Sequence, residues 1–507
     1  MTKVSSFYSV ICLIIGVLLT NVPAVSAQYI SGGVAGLDGT PGPKRPHAPA
    51  PQNKTRKAAQ TIGQRNIAPK GLLILANFTD LKFQDGNRAE DFNEFANSDN
   101  YTFNGADGSC KKYFEAQSNG TYSPQFEVVG PVELPHSFGY YGKDRGPGDY
   151  DRYCADFIMD AAAEADKLGV DFTQYDFNND NVIDFVYVLY AGKDQAAGGP
   201  DSTIWALNWE VSAALYYGYT NQTTYYWRQN AQNKWESNFP YFDGKKLEYF
   251  ACSSELNILG NRSGIGTFCH EFSHVLGLPD YYVSEGNITN KEFTPGAWSL
   301  MGFGNYLNNG NTPCGYSVYD KYFMGWATPQ VLSGSQQVSL PADGQTYYMI
   351  TRDGNPPANE ALTADTVYYL ENRQYTGWDT YLPGHGLLVW RVVYNADDWN
   401  NNTPNETTPR YTLVTANGKP PYVIAHRAGE EMTFPGGSGQ YTELTLFGNK
   451  LSIQEKDGVI TCRIGEMTTP VEELSADADM PTKTLENGRL VIRKADRRFD
   501  VLGRPLL

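Results

Sequence analysis

The chain has 507 residues, of which 41% are apolar and 13% aromatic, and a formal net charge of −16. It is too long for one ordinary domain and has enough apolar material for large cores. The acidic balance argues against nucleic acid and anionic membrane surfaces as partners.

In chain order, residues 1–27 have the layout of a secretory signal peptide. Lys3 precedes an apolar core from Tyr8 to Leu19, and the small residues Val25-Ser26-Ala27 stand before Gln28. That run is short for a bilayer span and no other stretch is long enough. The expectation is a secreted chain with no transmembrane anchor. Residues 28–66, rich in Gly, Pro and basic side chains, read as a pro-segment or linker. Six Cys follow the leader (Cys110, Cys154, Cys252, Cys269, Cys314 and Cys462), which in an exported chain permits up to three disulfides.

A first folded region spans 67–329. The apolar run Gly71 to Phe78 fits a buried strand, and Asp149 to Leu168 has helical spacing, with Tyr153, Phe157, Ile158, Ala161 and Ala162 on one face. The loop Asp176-Phe177-Asn178-Asn179-Asp180-Asn181-Val182-Ile183-Asp184 then leads into a strand, Phe185 to Tyr190. Asp176, Asn178, Asp180 and Asp184, with the carbonyl of Val182, alternate as hard oxygen ligands do around calcium. Asn181 stands where such loops carry Gly, and no Glu follows three residues after Asp184. A polar turn held by its own Asx hydrogen bonds is the competing reading.

The stretch Gly266-Thr267-Phe268-Cys269-His270-Glu271-Phe272-Ser273-His274-Val275-Leu276-Gly277-Leu278-Pro279-Asp280 organises the rest. On a helix, His270 and His274 lie one turn apart on one face and can share a zinc ion. Glu271 is placed to take a proton from water activated by that metal. Gly277 suits the left-handed end of the helix, after which the chain can return Asp280 as a third ligand. Glu285 or Glu292 would serve if the third ligand came from a later helix, an arrangement that Gly277 argues against. Two imidazoles and a carboxylate leave one position open, as in a catalytic zinc site. Ala297-Trp298-Ser299-Leu300-Met301-Gly302 follows about twenty residues later, and Tyr316 to Trp326 reads as another amphipathic helix.

From 330 to 466 the texture is β, with strand-like runs at Thr366–Leu370 and Gly386–Val393. Residues 467–483 read as a linker, and 484–507 as short strands around Asn487-Gly488.

These motifs resemble the secreted zinc metallopeptidases of the immune inhibitor A family. The likeness rests on residues 270–282, the 176–184 loop, Ile204-Trp205, and Glu371-Asn372-Arg373-Gln374-Tyr375-Thr376-Gly377-Trp378-Asp379 with Leu382-Pro383-Gly384-His385-Gly386. It implies an α+β fold: a zincin or metzincin-like catalytic domain, with a twisted sheet and an active-site helix, followed by a β-rich domain. It also implies zinc on His270, His274 and Asp280, Glu271 as acid and base, Met301 as the supporting Met-turn, and protein or peptide substrates. It lends weight to calcium at 176–184. Ser299 and Leu207 depart from the family's acidic residue and His at those positions. The end of the chain, from Leu485 to Ile492, resembles terminal sorting segments of exported proteins, which implies cell-surface association. Two rivals stand beside a peptidase: a non-catalytic binding protein that retains a zinc site, and a zinc hydrolase of non-peptide substrates.

Overall fold

The computed structural model describes residues 70–465 apart from 147–148, 196–198, 284–293 and 423–424, together with the backbone of four short strands between 482 and 506. The expected signal peptide, pro-segment and linker, and the alternative ligands Glu285 and Glu292, lie outside the described residues.

Five strands form the first sheet: β1 (Lys70–Asn77), β2 (Gln125–Glu133), β3 (Val186–Lys193), β4 (Leu207–Glu210) and β5 (Tyr249–Leu256). Their order is β2-β1-β3-β5-β4. All neighbours are parallel except the edge strand β4, which runs antiparallel to β5. β1 reads as an unbroken apolar run because both of its faces are covered. Leu73 and Leu75 belong to the core that holds Phe268 and Phe272. Leu72, Ile74 and Ala76 belong to the core on the other face, with Phe157, Ile158 and Ala161 of helix α1 (Cys154–Lys167). Strand β3 divides in the same way, with Tyr187 and Leu189 on one side and Val188 and Tyr190 on the other.

α1 starts five residues later than the sequence spacing suggests. Asp151 adopts a left-handed backbone with φ of 57°, and its carboxylate accepts the Trp205 N–H at 2.8 Å. The chain is bent there and cannot yet be helical. Two further helices matter below: α2 (Gly266–Val275) and α3 (Val318–Phe323). α3 is shorter than the expected 316–326. Ser317 caps it by accepting from Asp320 N at 3.1 Å, and Gly325, at φ 76°, follows its end.

The β-rich region holds two more sheets. β6 (Gln330–Val331), β8 (Tyr348–Ile350), β9 (Val367–Arg373), β10 (Gly386–Val392) and β11 (Tyr411–Leu413) lie side by side in that order. β7 (Gln336–Leu340), β12 (Glu443–Leu446), β13 (Asn449–Lys456) and β14 (Val459–Ile464) form the second, in the order β7-β14-β13-β12. Alternation along β9 and β10 again gives each face its own core. Leu370, Leu387 and Val389 pack with Ile453 and Cys462 of the second sheet. Tyr369, Leu388 and Trp390 belong to the same core as Phe268, Tyr281 and Met301. The first sheet and the β-rich region therefore share one apolar interior.

The four C-terminal strands pair antiparallel, Thr482–Glu486 with Arg489–Lys494 first. All six described Cys are buried thiols, and none of the three disulfides that the count permits is formed among them. Among the described residues, no helix is long and apolar enough to cross a membrane.

Candidate metal centre

α2 is built from two pairs with i, i+4 spacing on opposite faces. Phe268 and Phe272 point to the sheet, where Phe126 meets them edge-on at 4.8 and 5.1 Å between ring centroids. Each such ring, fully buried, stabilises the docked helix by roughly 1.5–3 kcal/mol. His270 and His274 each lie two residues beyond a Phe, about 200° round the helix, and so face away from the sheet. Their rings stand 5.1 Å apart and nearly perpendicular.

The first turn of α2 lies against the loop Gly304–Gly310. A Cβ on Gly266 would overlap the carbonyl oxygen of Asn305, so only Gly allows the approach. The helix ends in a paired reversal: Gly277 N–H donates to His274 O at 3.0 Å and Leu278 N–H to Ser273 O at 3.2 Å. Gly277 takes φ of 93° there, a Schellman ending. The turn brings Asp280 back beneath the imidazoles.

Both His are oriented from their far nitrogen. His270 Nδ1 donates to Leu300 O at 2.9 Å and His274 Nδ1 to Leu278 O at 2.8 Å. A carbonyl oxygen can only accept, so each Nδ1 carries a proton and each ring turns its Nε2, the atom that could coordinate a metal, to the shared space. Asp280 Oδ1 lies 3.0 Å from His270 Nε2 and 3.5 Å from His274 Nε2. His270, Glu271 and His274 also bring ligand atoms within 4.8 Å of one another. Glu271 Oε2 is 3.9 Å from His274 Nε2, farther than Asp280 Oδ1 is from either ring. Two imidazole Nε2 atoms and a carboxylate oxygen converging on one point fit zinc.

Burial pushes the Glu271 carboxyl above its ordinary value, although the two imidazoles oppose it. For Asp280 burial also acts upward, but the neighbouring His274 and His270 outweigh it and hold the carboxyl well below the usual range. Burial disfavours charging His270, and the Asp280 carboxylate overcomes that and raises it. The site is thus strongly polarised, with His270, Glu271 and Asp280 nearly fully buried and His274 partly exposed, its side chain at 11%.

The stretch 297–302 supports this centre by its backbone. Leu300 supplies the carbonyl that orients His270, and Met301 O accepts the Tyr281 N–H at 2.8 Å. Met301 itself is fully buried in the same core. Ser299 and Leu207, where the chain departs from the family pattern, are both buried, Leu207 on the edge strand opposite Cys252.

Sequence spacing gave no sign of several supporting residues. Asn402 donates from Nδ2 to Asp280 Oδ2 at 2.6 Å and accepts the Asp280 N–H on Oδ1 at 2.6 Å. Tyr282 OH donates to the same Oδ2 at 3.0 Å. Arg373, inside the 371–386 block, donates to Trp298 O and Gly315 O, each at 3.0 Å, and pairs with Asp379. Asn402 is revealed only by contacts across 122 residues, whereas Tyr282 stands two residues from the carboxylate it supports.

The 176–184 loop leads into β3, and its Val182 and Ile183 pair with Lys246 and Leu247. Its oxygens are engaged by its own backbone: Asp180 N–H donates to Asp176 Oδ1 and Asn178 Oδ1, Val182 N–H to Asp180 Oδ1, and Phe177 N–H to Asp184 Oδ2. The positive charge that faces Asp176 is Lys245, with Nζ 2.7 Å from Asp176 Oδ2 and 3.1 Å from Asn181 Oδ1. Where the sequence suggested calcium, an ammonium group already meets the buried carboxylate. Asn179 and Asn181 take positive φ, at 56° and 66°, a backbone that suits an Asx turn and a calcium loop alike.

Residues 57–328, over half of the chain, match the family model described as the immune inhibitor A peptidase M6 catalytic domain. The chain belongs to that family. Immune inhibitor A of Bacillus thuringiensis subsp. alesti is 28% identical over 339 residues, covering 60% of this chain and 45% of that protein. The pre-pro-metalloprotease PrtV of Vibrio cholerae is 23% identical over 308 residues, covering 54% of this chain and 31% of its own. The chain thus spans less than half the length of the curated relatives it matches. The family match includes α2 and Asp280 and stops short of β9, β10 and Asn402.

Proposed function

We propose that the protein is a secreted zinc-dependent endopeptidase acting on extracellular proteins or peptides. The observation that carries the reading is the convergence of His270 Nε2, His274 Nε2 and Asp280 Oδ1, with Glu271 on the same helix beside them. His270, His274 and Asp280 would hold the metal, and Met301 with its neighbours would support it from below. Zinc there supplies Lewis acidity, polarising a carbonyl and acidifying water.

Glu271 then takes a proton from the attacking water and delivers it to the nitrogen of the leaving amine. Its buried setting suits the first half of that work, since a carboxyl of raised affinity for protons is a better acceptor. The PrtV relative is named a metalloprotease, which agrees with a peptide-bond substrate. For the 176–184 loop, Lys245 already neutralises Asp176. The loop accordingly reads as a structural turn, and a calcium ion there would have to displace an ammonium.

The test is casein cleavage by the full chain and by Glu271→Gln, with zinc measured on both. One zinc per chain in each, with turnover lowered by about 10²–10⁴-fold in the variant, is the expected result. Equal cleavage by both removes Glu271 from the chemistry. Zinc without cleavage by either favours the binding-protein reading or a non-peptide substrate, and a folded chain that takes no zinc overturns the assignment.

A further inference from the structure

We infer that Asn402, contributed by the β-rich region, is a positioning residue for the third metal ligand. The inference rests on the zinc reading above. It extends the working centre beyond residues 57–328, the part that matches the family's catalytic domain.

The two oxygens of Asp280 have separate duties. Oδ1 faces both imidazoles at 3.0 and 3.5 Å. Oδ2 accepts from Asn402 Nδ2 at 2.6 Å and from Tyr282 OH at 3.0 Å. The Asp280 N–H in turn donates to Asn402 Oδ1 at 2.6 Å. One amide side chain therefore fixes both the backbone and the carboxylate of the ligand, so the plane of the carboxylate cannot turn. The position calls for a donor and an acceptor side by side on a short stem, which Asn offers and Asp does not. Asn402 also takes φ of 59°, a conformation Asn tolerates better than most residues.

The loop that presents Asn402 is itself held firmly. Helix α4 (Ala396–Asn400) starts at Asn395, whose side chain accepts Asp398 N–H at 2.9 Å. Arg410 Nε donates to Asp398 Oδ2 at 2.6 Å. Asn405 is fully buried. Its Nδ2 donates to Tyr281 O and Tyr411 O, each at 2.8 Å, and its Oδ1 accepts from Arg410 N and Tyr411 N. The Tyr281 ring stacks on Tyr411 with centroids 3.6 Å apart. The residue next to Asp280 is thereby clamped to the same segment that carries Asn402.

Asn402→Asp and Asn402→Ala decide the matter in the full chain. Asp keeps the shape and the acceptor but sets a second carboxylate against Asp280 Oδ2; Ala removes both bonds. Zinc affinity is read by competition with a chromophoric chelator, and ligand geometry by the visible spectrum of the cobalt-loaded protein. The expected result is zinc binding weaker by about 10–100-fold in both variants, with an altered cobalt spectrum, in chains whose metal-free form still folds. Zinc affinity within twofold of wild type with an unchanged cobalt spectrum, in either folded variant, overturns the inference and leaves the metal reading intact. Loss of fold in both variants assigns Asn402 a purely structural part and also overturns it. A wild-type chain that binds no zinc overturns both readings together.

Discussion

Arg373, at the end of β9, donates from Nη1 to the carbonyl oxygen of Trp298 at 3.0 Å and so fastens the β-rich region to the turn that ends in Met301. The same guanidinium reaches Gly315 O and pairs with Asp379, and Glu371 Oε1 lies 3.9 Å away. Its side chain is 4% exposed, so solvent cannot replace these partners. Arg373→Ala is expected to cost about 3–5 kcal/mol, because it leaves the buried Glu371 and the partly buried Asp379 without their cation. Arg373→Lys should recover less than half of that, since one ammonium cannot span three sites as a planar fork does. Urea unfolding of the three chains checks this, and an Ala variant as stable as wild type would contradict it.

Asp320 offers a prediction about pH. It lies fully buried in α3 and accepts from Tyr281 OH at 2.8 Å and Ser317 N at 3.2 Å. Burial is the main reason its carboxyl rises from 3.8 to about 7. The folded chain then holds a proton that the unfolded chain releases, so stability falls as pH rises through that interval. The contribution is complete below about pH 4 and lost above about pH 7. Melting temperatures from about pH 5 to about pH 8 should fall more steeply for wild type than for Asp320→Asn. Parallel curves would mean that Asp320 is ionised throughout.

Gly277→Ala should destabilise the protein by about 1–2 kcal/mol, the cost of a Cβ in the left-handed conformation. Its φ of 93° leaves no relaxed alternative, because the ending of α2 also sets Leu278 O against His274 Nδ1. Thermal unfolding of the metal-free chain measures this directly. An unchanged midpoint would show that the helix end can relax.

The chemistry of the site was more legible in the sequence than its support. His270, Glu271, His274, Gly277 and Asp280 lie within eleven positions, where helical spacing and a known helix ending dictate how they meet. Asn402 could not be found in that way, being 122 residues from Asp280 in a run of Asn and Thr that looks like any loop. Lys245 was hidden for the same reason. It comes 69 residues after Asp176, and ligand spacing in a loop says nothing about a lysine arriving from a hairpin. The early start expected for α1 came from counting apolar positions without the left-handed bend at Asp151. The even Cys count permitted disulfides without requiring them, and all six lie buried as small apolar side chains.

The shared interior also imposes an order in time. Tyr281, Trp298, Tyr319 and Phe323 are covered by Tyr369, Trp390 and Tyr411 within one core. All of those covering residues are synthesised after the matched catalytic stretch has ended at 328. At roughly 5–20 residues per second, the ribosome needs several seconds more to reach Tyr411. Through that interval the helix bearing His270 and His274 exists beside an apolar face with nothing yet to cover it. Asp280, whose partner Asn402 follows it by 122 residues, is the proposed ligand that waits longest.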